Sequence, residues 1–424
     1  MLHIKKYENN SYLFFVITLF LIVTYFFSIG QDPILGDSLA FTVQAYNGFD
    51  FTTNATNHFL YSNFLALTHK IISCINPHYL FVFISIIFSI GTLIGIKKFL
   101  LLFDISDKIS NVLVLLFGVS FTYWRISIIT EVYAFYMFFA VLFLYNSFKY
   151  LESRKNKYFI KLSFFLGILF LIHIQSILFL LFYLVLILEN YKSNTKQTLF
   201  GIILFVFTAS ILLIPVFQGK HNFLAILSDN AYQDSFFNFN PSVIIKSFIK
   251  NIGFLIYNFL FFLYFIFFGY KNIKYKKYIL FIFIPFIVFI LKHNVSDSYV
   301  FHLVPYIFLL IAIGKGIESK SPNFKIGLVL IIPLFYFVTY QILGKTSFGE
   351  KMNTEIGFKG GVRYFFYPPL SGNPEIESFV KAYQQKKLKD IKTFDRQYEL
   401  ALEFDRQYEL ALEWLRIKKY YKQN

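Results

Sequence analysis

Leu162 to Leu188 reads LSFFLGILFLIHIQSILFLLFYLVLIL. It is long enough for one membrane helix. Folded at its polar centre, His173-Ile-Gln175-Ser176, it makes two short ones. A helix rises roughly 1.5 Å per residue and the hydrocarbon core is roughly 30 Å thick, so about 20 apolar residues make a crossing. Whichever reading holds decides on which side of a membrane everything downstream falls.

Nine further apolar runs surround this stretch. The first is Ser11 to Gly30, behind Lys5 and Lys6. Ser28-Ile-Gly30 has the small residues of a signal-peptidase site, but the run exceeds the usual h-region, so it reads as an uncleaved anchor. The others lie near 78–102, 108–122, 128–148, 198–217, 247–270, 278–292, 298–314 and 324–343, and the central stretch splits into 160–172 and 175–190. Charge arbitrates the split. With eleven crossings and a cytoplasmic N-terminus, the inside loops hold nineteen cations: Lys5, Lys6, Lys97, Lys98, Lys108, Lys149, Arg154, Lys155, Lys157, Lys161, Lys192, Lys196, Lys271, Lys274, Lys276, Lys277, Lys315, Lys320 and Lys325. The outside loops hold six: Lys70, Arg125, Lys220, Lys246, Lys250 and Lys292. Reading Leu162–Leu188 as one crossing turns 19 against 6 into 14 against 11. Cytoplasmic loops accumulate Lys and Arg, so the two-helix reading is preferred.

The composition agrees. Apolar residues make up 57% of the 424 and charged residues 15%, with 60 Phe and 31 Tyr. That excludes a disordered chain or a coiled coil and argues against a soluble enzyme. The net charge of +16 is then a record of sidedness, with no nucleic-acid partner implied. A lone Cys74 excludes an internal disulfide and a cysteine-based zinc cluster. The expected fold is an all-α membrane protein of about eleven transmembrane helices over residues 1–343, with a first outer loop at 31–77. A small, mainly helical soluble tail, 344–424, lies on the extracytoplasmic side of a plasma (inner) membrane.

The tail carries a perfect tandem repeat: Phe394-Asp-Arg-Gln-Tyr-Glu-Leu-Ala-Leu-Glu403 recurs as Phe404 to Glu413. Ten residues rotate a helix by about 1000°, so the second apolar stripe is turned by about 80° from the first. This reads as a duplication tolerated in a peripheral helix. The preceding Gly360-Gly-Val-Arg-Tyr-Phe-Phe-Tyr-Pro-Pro369 is expected against the membrane surface, where Tyr is favoured.

Polar groups at membrane depth are expensive and therefore candidates for function. Asp37, in Gly36-Asp-Ser-Leu-Ala-Phe41, reads either as a general base whose pKa desolvation raises or as a helix N-cap. Asp32 and Asp50 read as solvated loop charges. His58 reads as a phosphate or sugar contact or as an interfacial packing residue, with Tyr61 three residues on, on the same helix face. Arg125 and Glu131 flank a helix start within Tyr123-Trp-Arg-Ile-Ser-Ile-Ile-Thr-Glu-Val-Tyr133. There Glu131 either orients a substrate hydroxyl or serves the helix dipole, and the Arg125 fork suits a lipid phosphate. His173 and Gln175 form the hinge, which must be buried in protein or wet. Lys292, His293, Asp297 and His302 gather at the outer ends of two late helices. Their spacing fits a lipid-phosphate site at Lys292 better than a metal site. No P-loop, G-x-G-x-x-G, G-x-S-x-G or H-E-x-x-H is present.

Three stretches carry a family resemblance. Glu131-Val-Tyr-Ala-Phe-Tyr-Met-Phe-Phe139 looks like an E-V-Y-A-L helix start, and Phe165-Leu-Gly-Ile-Leu-Phe-Leu-Ile-His173 like a G-L-x-L-x-x-H segment. Asp297-Ser-Tyr-Val-Phe-His-Leu-Val-Pro-Tyr306 looks, more loosely, like a late outer Asp before a Pro-bearing helix. Together they resemble the GT-C superfamily of polytopic membrane glycosyltransferases, and more narrowly the bacterial relatives of transmembrane protein O-mannosyltransferases. That family usually shows D-x-G-E-F and then H-P-P-G in its first loop. Here Asp37-Ser-Leu-Ala-Phe41 keeps the Asp and Phe, and His58 is followed by Phe-Leu-Tyr61.

The resemblance implies a polyprenyl-phosphate-sugar donor, a protein or glycan acceptor, and inverting transfer on the extracytoplasmic face. It puts Asp37 as base with Glu131, and His58, Tyr61, Arg125, Tyr133, His173, Gln175, Lys292, Asp297 and His302 on the substrates. A cation near Arg125 or Lys292 would take the leaving phosphate. No cofactor is required, with a divalent metal left open. The competing readings are an O-antigen-type polymerase or ligase, which would carry arginines in a large late outer loop, and a lipid-linked-sugar transporter, which would carry inverted repeats.

Overall fold

A computed structural model describes residues 11–51, 58–219, 240–293, 298–385 and 401–423. The described residues are helical and form no strand. The membrane region contains α1 (Ser11–Phe27), α2 (Asp37–Asn47), α3 (Phe59–Ile71), α4 (Pro77–Leu102), α5 (Asp107–Gly118), α6 (Phe121–Ser127) and α7 (Val132–Ser153). It continues with α8 (Asn156–Ile172), α9 (Leu180–Ser193), α10 (Thr195–Ala209), α11 (Pro241–Phe259), α12 (Lys276–Lys292), α13 (Leu303–Lys320) and α14 (Ile331–Leu343). The tail forms α15 (Ser347–Glu355), α16 (Gly361–Phe366), α17 (Ile376–Gln384) and α18 (Ala401–Gln423).

Local chemistry sets several starts. Asn76 accepts a hydrogen bond from His78 N–H (3.0 Å) with Pro77 as the first helical residue of α4, and Asn240 with Pro241 repeats the device at α11. In the bundle, α13 is buried on nearly every side, whereas α10, α11 and α14 turn Phe, Ile and Leu outward. Backbones meet where α13 crosses the stretch after α11: a Cβ on Gly316 would lie 1.9 Å from the Phe265 carbonyl oxygen, and one on Gly269 1.8 Å from that of Ala312. Small residues permit such approach in membrane bundles.

Among the described residues seven helices are long and apolar enough to cross a membrane, or eight if α5 and α6, bent by 69°, count as one. This is fewer than the eleven expected. The difference lies in α1, α8 and α12, each 17 residues and so about 26 Å long, short of the roughly 30 Å core. The run expected at 108–122 is the bent pair α5–α6.

The decisive stretch doubles back. α8 ends at His173, whose backbone is extended; a 3₁₀ turn, Ile174–Phe179, leads into α9. Tyr183 on α9 donates to Ser163 Oγ on α8 (2.9 Å), and Arg154 before α8 pairs with Glu189 on α9 (3.0 Å). One continuous helix would hold those two residues about 50 Å apart.

The loops assigned to the inside meet one another. Lys274 pairs with Asp104, Lys315 Nζ donates to the Asp104 carbonyl (2.8 Å), Ser106 N–H donates to Glu318 (2.6 Å), and Tyr278 OH donates to Glu189 (2.7 Å). At the other end of the bundle, Leu370 N–H donates to the Ser28 carbonyl (2.8 Å) and His78 Nε2 to that of Gly30 (2.8 Å).

The tail is not peripheral. α18, which contains the second repeat copy, packs with α17 against α2, and Leu35, Leu39, Val43, Ile376, Phe379, Phe404, Ala411, Trp414 and Ile417 form one apolar cluster. The first copy, Phe394–Glu403, lies largely outside the described residues. Nor is Asp32 a solvated loop charge. It is 7% exposed and accepts from Ile376 N–H (2.9 Å), Trp414 Nε1–H (2.9 Å) and Lys418 Nζ (3.0 Å). Buried carboxylates persist only when so paired. For Lys418, burial works to lower the pKa, and the bonds to Glu375 and Asp32 outweigh it and raise it above the ordinary lysine value.

Candidate active site

The helix ends opposite the basic face of the bundle carry the candidate residues. Asp37 is the first residue of α2 and is exposed; the cap position belongs to Gly36, and no side-chain capping bond forms there. Asp37 therefore sits one residue inside the helix instead of at its cap position. One helical turn on, Phe41 shares the Asp37 face of α2. Its ring meets His58 at 5.4 Å and Tyr61 at 5.1 Å between centroids. Asp37 thus stands one turn from the ring that packs on the His58–Tyr61 pair.

His58 heads α3 in a left-handed conformation, φ 61° and ψ 50°. Its Nδ1 lies 3.0 Å from the Ile172 carbonyl, which can only accept, so Nδ1 carries the proton and Nε2 keeps its lone pair. Burial holds the His58 pKa down to about 4, against the smaller opposing effect of that carbonyl. His173 has the other tautomer: Nδ1 accepts the Gln175 N–H (3.0 Å), so Nε2 carries the hydrogen of the neutral ring. The two rings are 4.8 Å apart. Tyr133 and Tyr136 approach His173 at 5.5 and 5.7 Å, and Gln175 Nε2 reaches the Phe301 carbonyl at 3.5 Å. The hinge demanded by the sequence is thus buried and its backbone satisfied.

Glu131 occupies the cap position of α7 without a capping bond. Burial, and then the Glu131 charge, push the Tyr61 hydroxyl well above its usual pKa. Lys292 closes α12, and the adjacent His293 stacks on Phe289 (5.1 Å) and meets Phe301 (5.4 Å). The structure therefore gathers His58, Tyr61, Tyr133, His173 and Gln175 beneath α2, with Glu131 beside Tyr61. His293, Tyr136 and Phe41 join them. Sequence reading had placed His293 in the group with Lys292, Asp297 and His302, and Phe41 and Tyr136 only inside quoted motifs; it gave neither aromatic a place in the site.

Arg125 and His302 stand apart. Arg125, 2% exposed, donates through Nη2 to the carbonyls of Tyr364 (2.6 Å) and Tyr367 (2.8 Å) and lies over the Tyr364 ring at 4.9 Å. It anchors the tail, so the lipid-phosphate contact expected of it is not formed by these nitrogen–carbonyl pairs. The aromatic segment Gly360–Pro369 sits on this guanidinium and on Tyr257, whose hydroxyl donates to the Phe366 carbonyl (2.6 Å). His302 donates from Nδ1 to the Ser298 carbonyl (3.1 Å) and stacks on Tyr306, facing α11 (through Phe254) instead of His173. Asp297 lies outside the described residues. Among the described residues no three His, Cys, Asp or Glu side chains are arranged to hold a metal ion.

No protein-family model and no curated protein matches the chain. Solved structures do. ArnT from Cupriavidus metallidurans in the apo state is similar over 96% of this chain and 77% of its own, at 13% identity and a TM-score of 0.55. The S. cerevisiae protein O-mannosyltransferase Pmt1-Pmt2 complex bound to the sugar donor matches 54% of this chain at 17% identity, with a TM-score of 0.39; this chain spans 35% of that one. The Archaeoglobus fulgidus oligosaccharyltransferase in complex with Zn and sulfate matches 86% of this chain and 58% of its own, at 13% identity and a TM-score of 0.44. The likeness to ArnT defines the class: a polytopic, all-α membrane protein with the GT-C fold.

Proposed function

We propose that the protein is a membrane glycosyltransferase that moves a sugar from a polyprenyl-phosphate-type lipid to an acceptor hydroxyl on the extracytoplasmic face. The carrying observation is the exposed Asp37 carboxylate one turn from Phe41, which packs on His58 and Tyr61. The GT-C fold and the Asp37–Phe41, Glu131–Phe139 and Phe165–His173 motifs support it.

In this reading Asp37 takes the proton of the acceptor hydroxyl as its oxygen attacks the anomeric carbon. The bond from that carbon to the donor phosphate oxygen breaks, the configuration inverts, and the lipid phosphate leaves with the bonding pair. An exposed base meets its acceptor from solvent, and bound substrates then exclude water from it. Glu131 and Tyr61 orient the acceptor or sugar. The neutral His58 and His173, with Tyr133 and Gln175, present both donors and acceptors to sugar hydroxyls. Lys292 is the cation that receives the phosphate, since Arg125 already holds two carbonyls of the tail. The protein spans a plasma (inner) membrane several times, with its N-terminus cytoplasmic. The tail then shares the outer side with the first loop that it touches.

The test is Asp37→Asn in purified protein, using polyprenyl-phosphate mannose labelled in the sugar and an extract of cell envelope as acceptor. Transfer is expected to fall by at least about a hundredfold, the usual scale for a general base, with donor binding retained. Undiminished transfer removes Asp37 from the mechanism.

A further inference from the structure

The turn that carries Asp37 is held from both ends by a helix more than 360 residues away in sequence. At its start, Asp32 is fixed by Trp414 and Lys418 of α18 and by the backbone N–H of Ile376, where α17 begins. At its end, Gly36 N–H donates to Gln407 Oε1 at 2.9 Å. Gly36 has φ 101°, a conformation that side-chain-bearing residues rarely adopt, so this N–H points where only a special turn directs it. Behind the turn, Leu39 and Val43 of α2 pack with Phe404, Ala411 and Trp414 of α18. At the far end of α2, Asn47 Nδ2 donates to Glu413 Oε1 at 2.8 Å. Leu39 and Val43 lie on the face of α2 away from Phe41, so α18 braces the back of the helix, opposite the His58–Tyr61 side.

We infer that α18 is a splint for the proposed catalytic turn, in which Gln407 and the Asp32–Lys418 pair are positioning residues for Asp37. The inference rests on the reading of Asp37 as the base. It assigns the tail to the working transferase, and it gives the second copy of the duplicated decapeptide a task, since Gln407 belongs to that copy. The two copies are identical, so either offers a glutamine in the same setting. Trp414 and Lys418 lie beyond the repeat and select the copy that docks.

The experiment uses the full chain and the labelled donor assay above. Gln407→Met keeps the length of the side chain and removes the acceptor; Gln407→Glu keeps an acceptor. The methionine variant is expected to lower kcat at least fivefold with KM within twofold, and the glutamate variant to recover most of that loss. A lysine-to-methionine change at 418 is expected to act in the same sense. A parallel measurement locks the helices together: Asn47→Cys with Glu413→Cys, in a Cys74→Ser background, is oxidised and assayed. The locked protein is expected to keep its activity, because the splint is the working arrangement. Unchanged kcat in Gln407→Met while Asp37→Asn is inactive overturns the splint and leaves the function standing. Abolition of activity by the lock, restored on reduction, also overturns it, because α18 would then have to leave α2 during turnover. Full activity of Asp37→Asn instead sinks the reading of the base itself.

Discussion

His58 makes the outer loop sensitive to acid by an amount that can be worked out. Burial holds its pKa at about 4 in the folded protein, against about 6.5 for an unperturbed histidine. Between those values the unfolded chain binds a proton that the folded protein refuses. The unfolded state therefore gains on acidification, and stability falls as pH drops from about 6.5 to about 4, then levels off. The gap is worth roughly 3 kcal/mol at about 1.4 kcal/mol per pH unit. Asparagine is the replacement to compare, because it tolerates the left-handed backbone found at residue 58 and does not titrate. Thermal unfolding of both proteins in the same detergent, from pH 7.5 to 4, is the assay. The wild-type protein is expected to lose stability more steeply than His58→Asn, with the curves diverging below pH 6.5. Parallel curves would mean that His58 titrates alike in the folded and unfolded states, and would refute its burial as a neutral ring in the candidate site.

Replacing Arg125 by Met leaves the Tyr364 and Tyr367 carbonyls without their donor, a cost on the order of 3 kcal/mol. A lower unfolding temperature and faster proteolysis between residues 344 and 370 are expected, with donor KM little changed. A large rise in KM alone would return Arg125 to the substrate. Deleting residues 394–403 leaves one decapeptide joined to Trp414 and Lys418; stability is expected to stay within about 1 kcal/mol, as measured by thermal unfolding, and transfer to be retained. A cysteine in place of Ser347 is expected to react with an impermeant label added from outside intact cells, and labelling only in inverted vesicles would contradict the topology.

Much of the fold was legible because it depends on two coarse signals, apolar run length and cation placement. The hinge at His173 was legible as well, since a polar tripeptide in an apolar stretch must find partners. The site was legible where a residue is rare in its surroundings: His58, Glu131 and His173 stand out against the Phe and Leu around them. It was not legible where the chain meets itself across hundreds of residues. Asp32 is one acidic residue in a polar loop, and no local pattern pairs it with Lys418. The Arg125 fork suits phosphate, but no local pattern shows that one of its nitrogens also binds two backbone carbonyls of the tail. The repeat misled for a related reason: its stripe was judged against its own continuation, whereas what it packs on is α2.

The contact between tail and first loop also constrains topology in a way that helix length cannot. Ser28, Asp32 and Gly36 touch Leu370, Lys418 and Gln407, so the two segments share a side, and an even number of crossings must separate them. Counting long helices, with α5 and α6 as one, gives eight between them. Counting α8 and α12 as well gives ten, also even; counting either alone breaks the parity. The side chains say that these two behave alike. α8 starts beside the Arg154–Glu189 pair of the basic face and ends at His173 beside His58. α12 starts beside Lys274 and Asp104 of the same basic face and ends at His293, next to Phe301. Each therefore runs from one face of the bundle to the other in about 26 Å, and each delivers a histidine to the face opposite the basic one. A helix too short to span the hydrocarbon alone sinks its end residue below the surface, and in the proposed transferase that depth is where a dry site for the lipid-linked donor would be built.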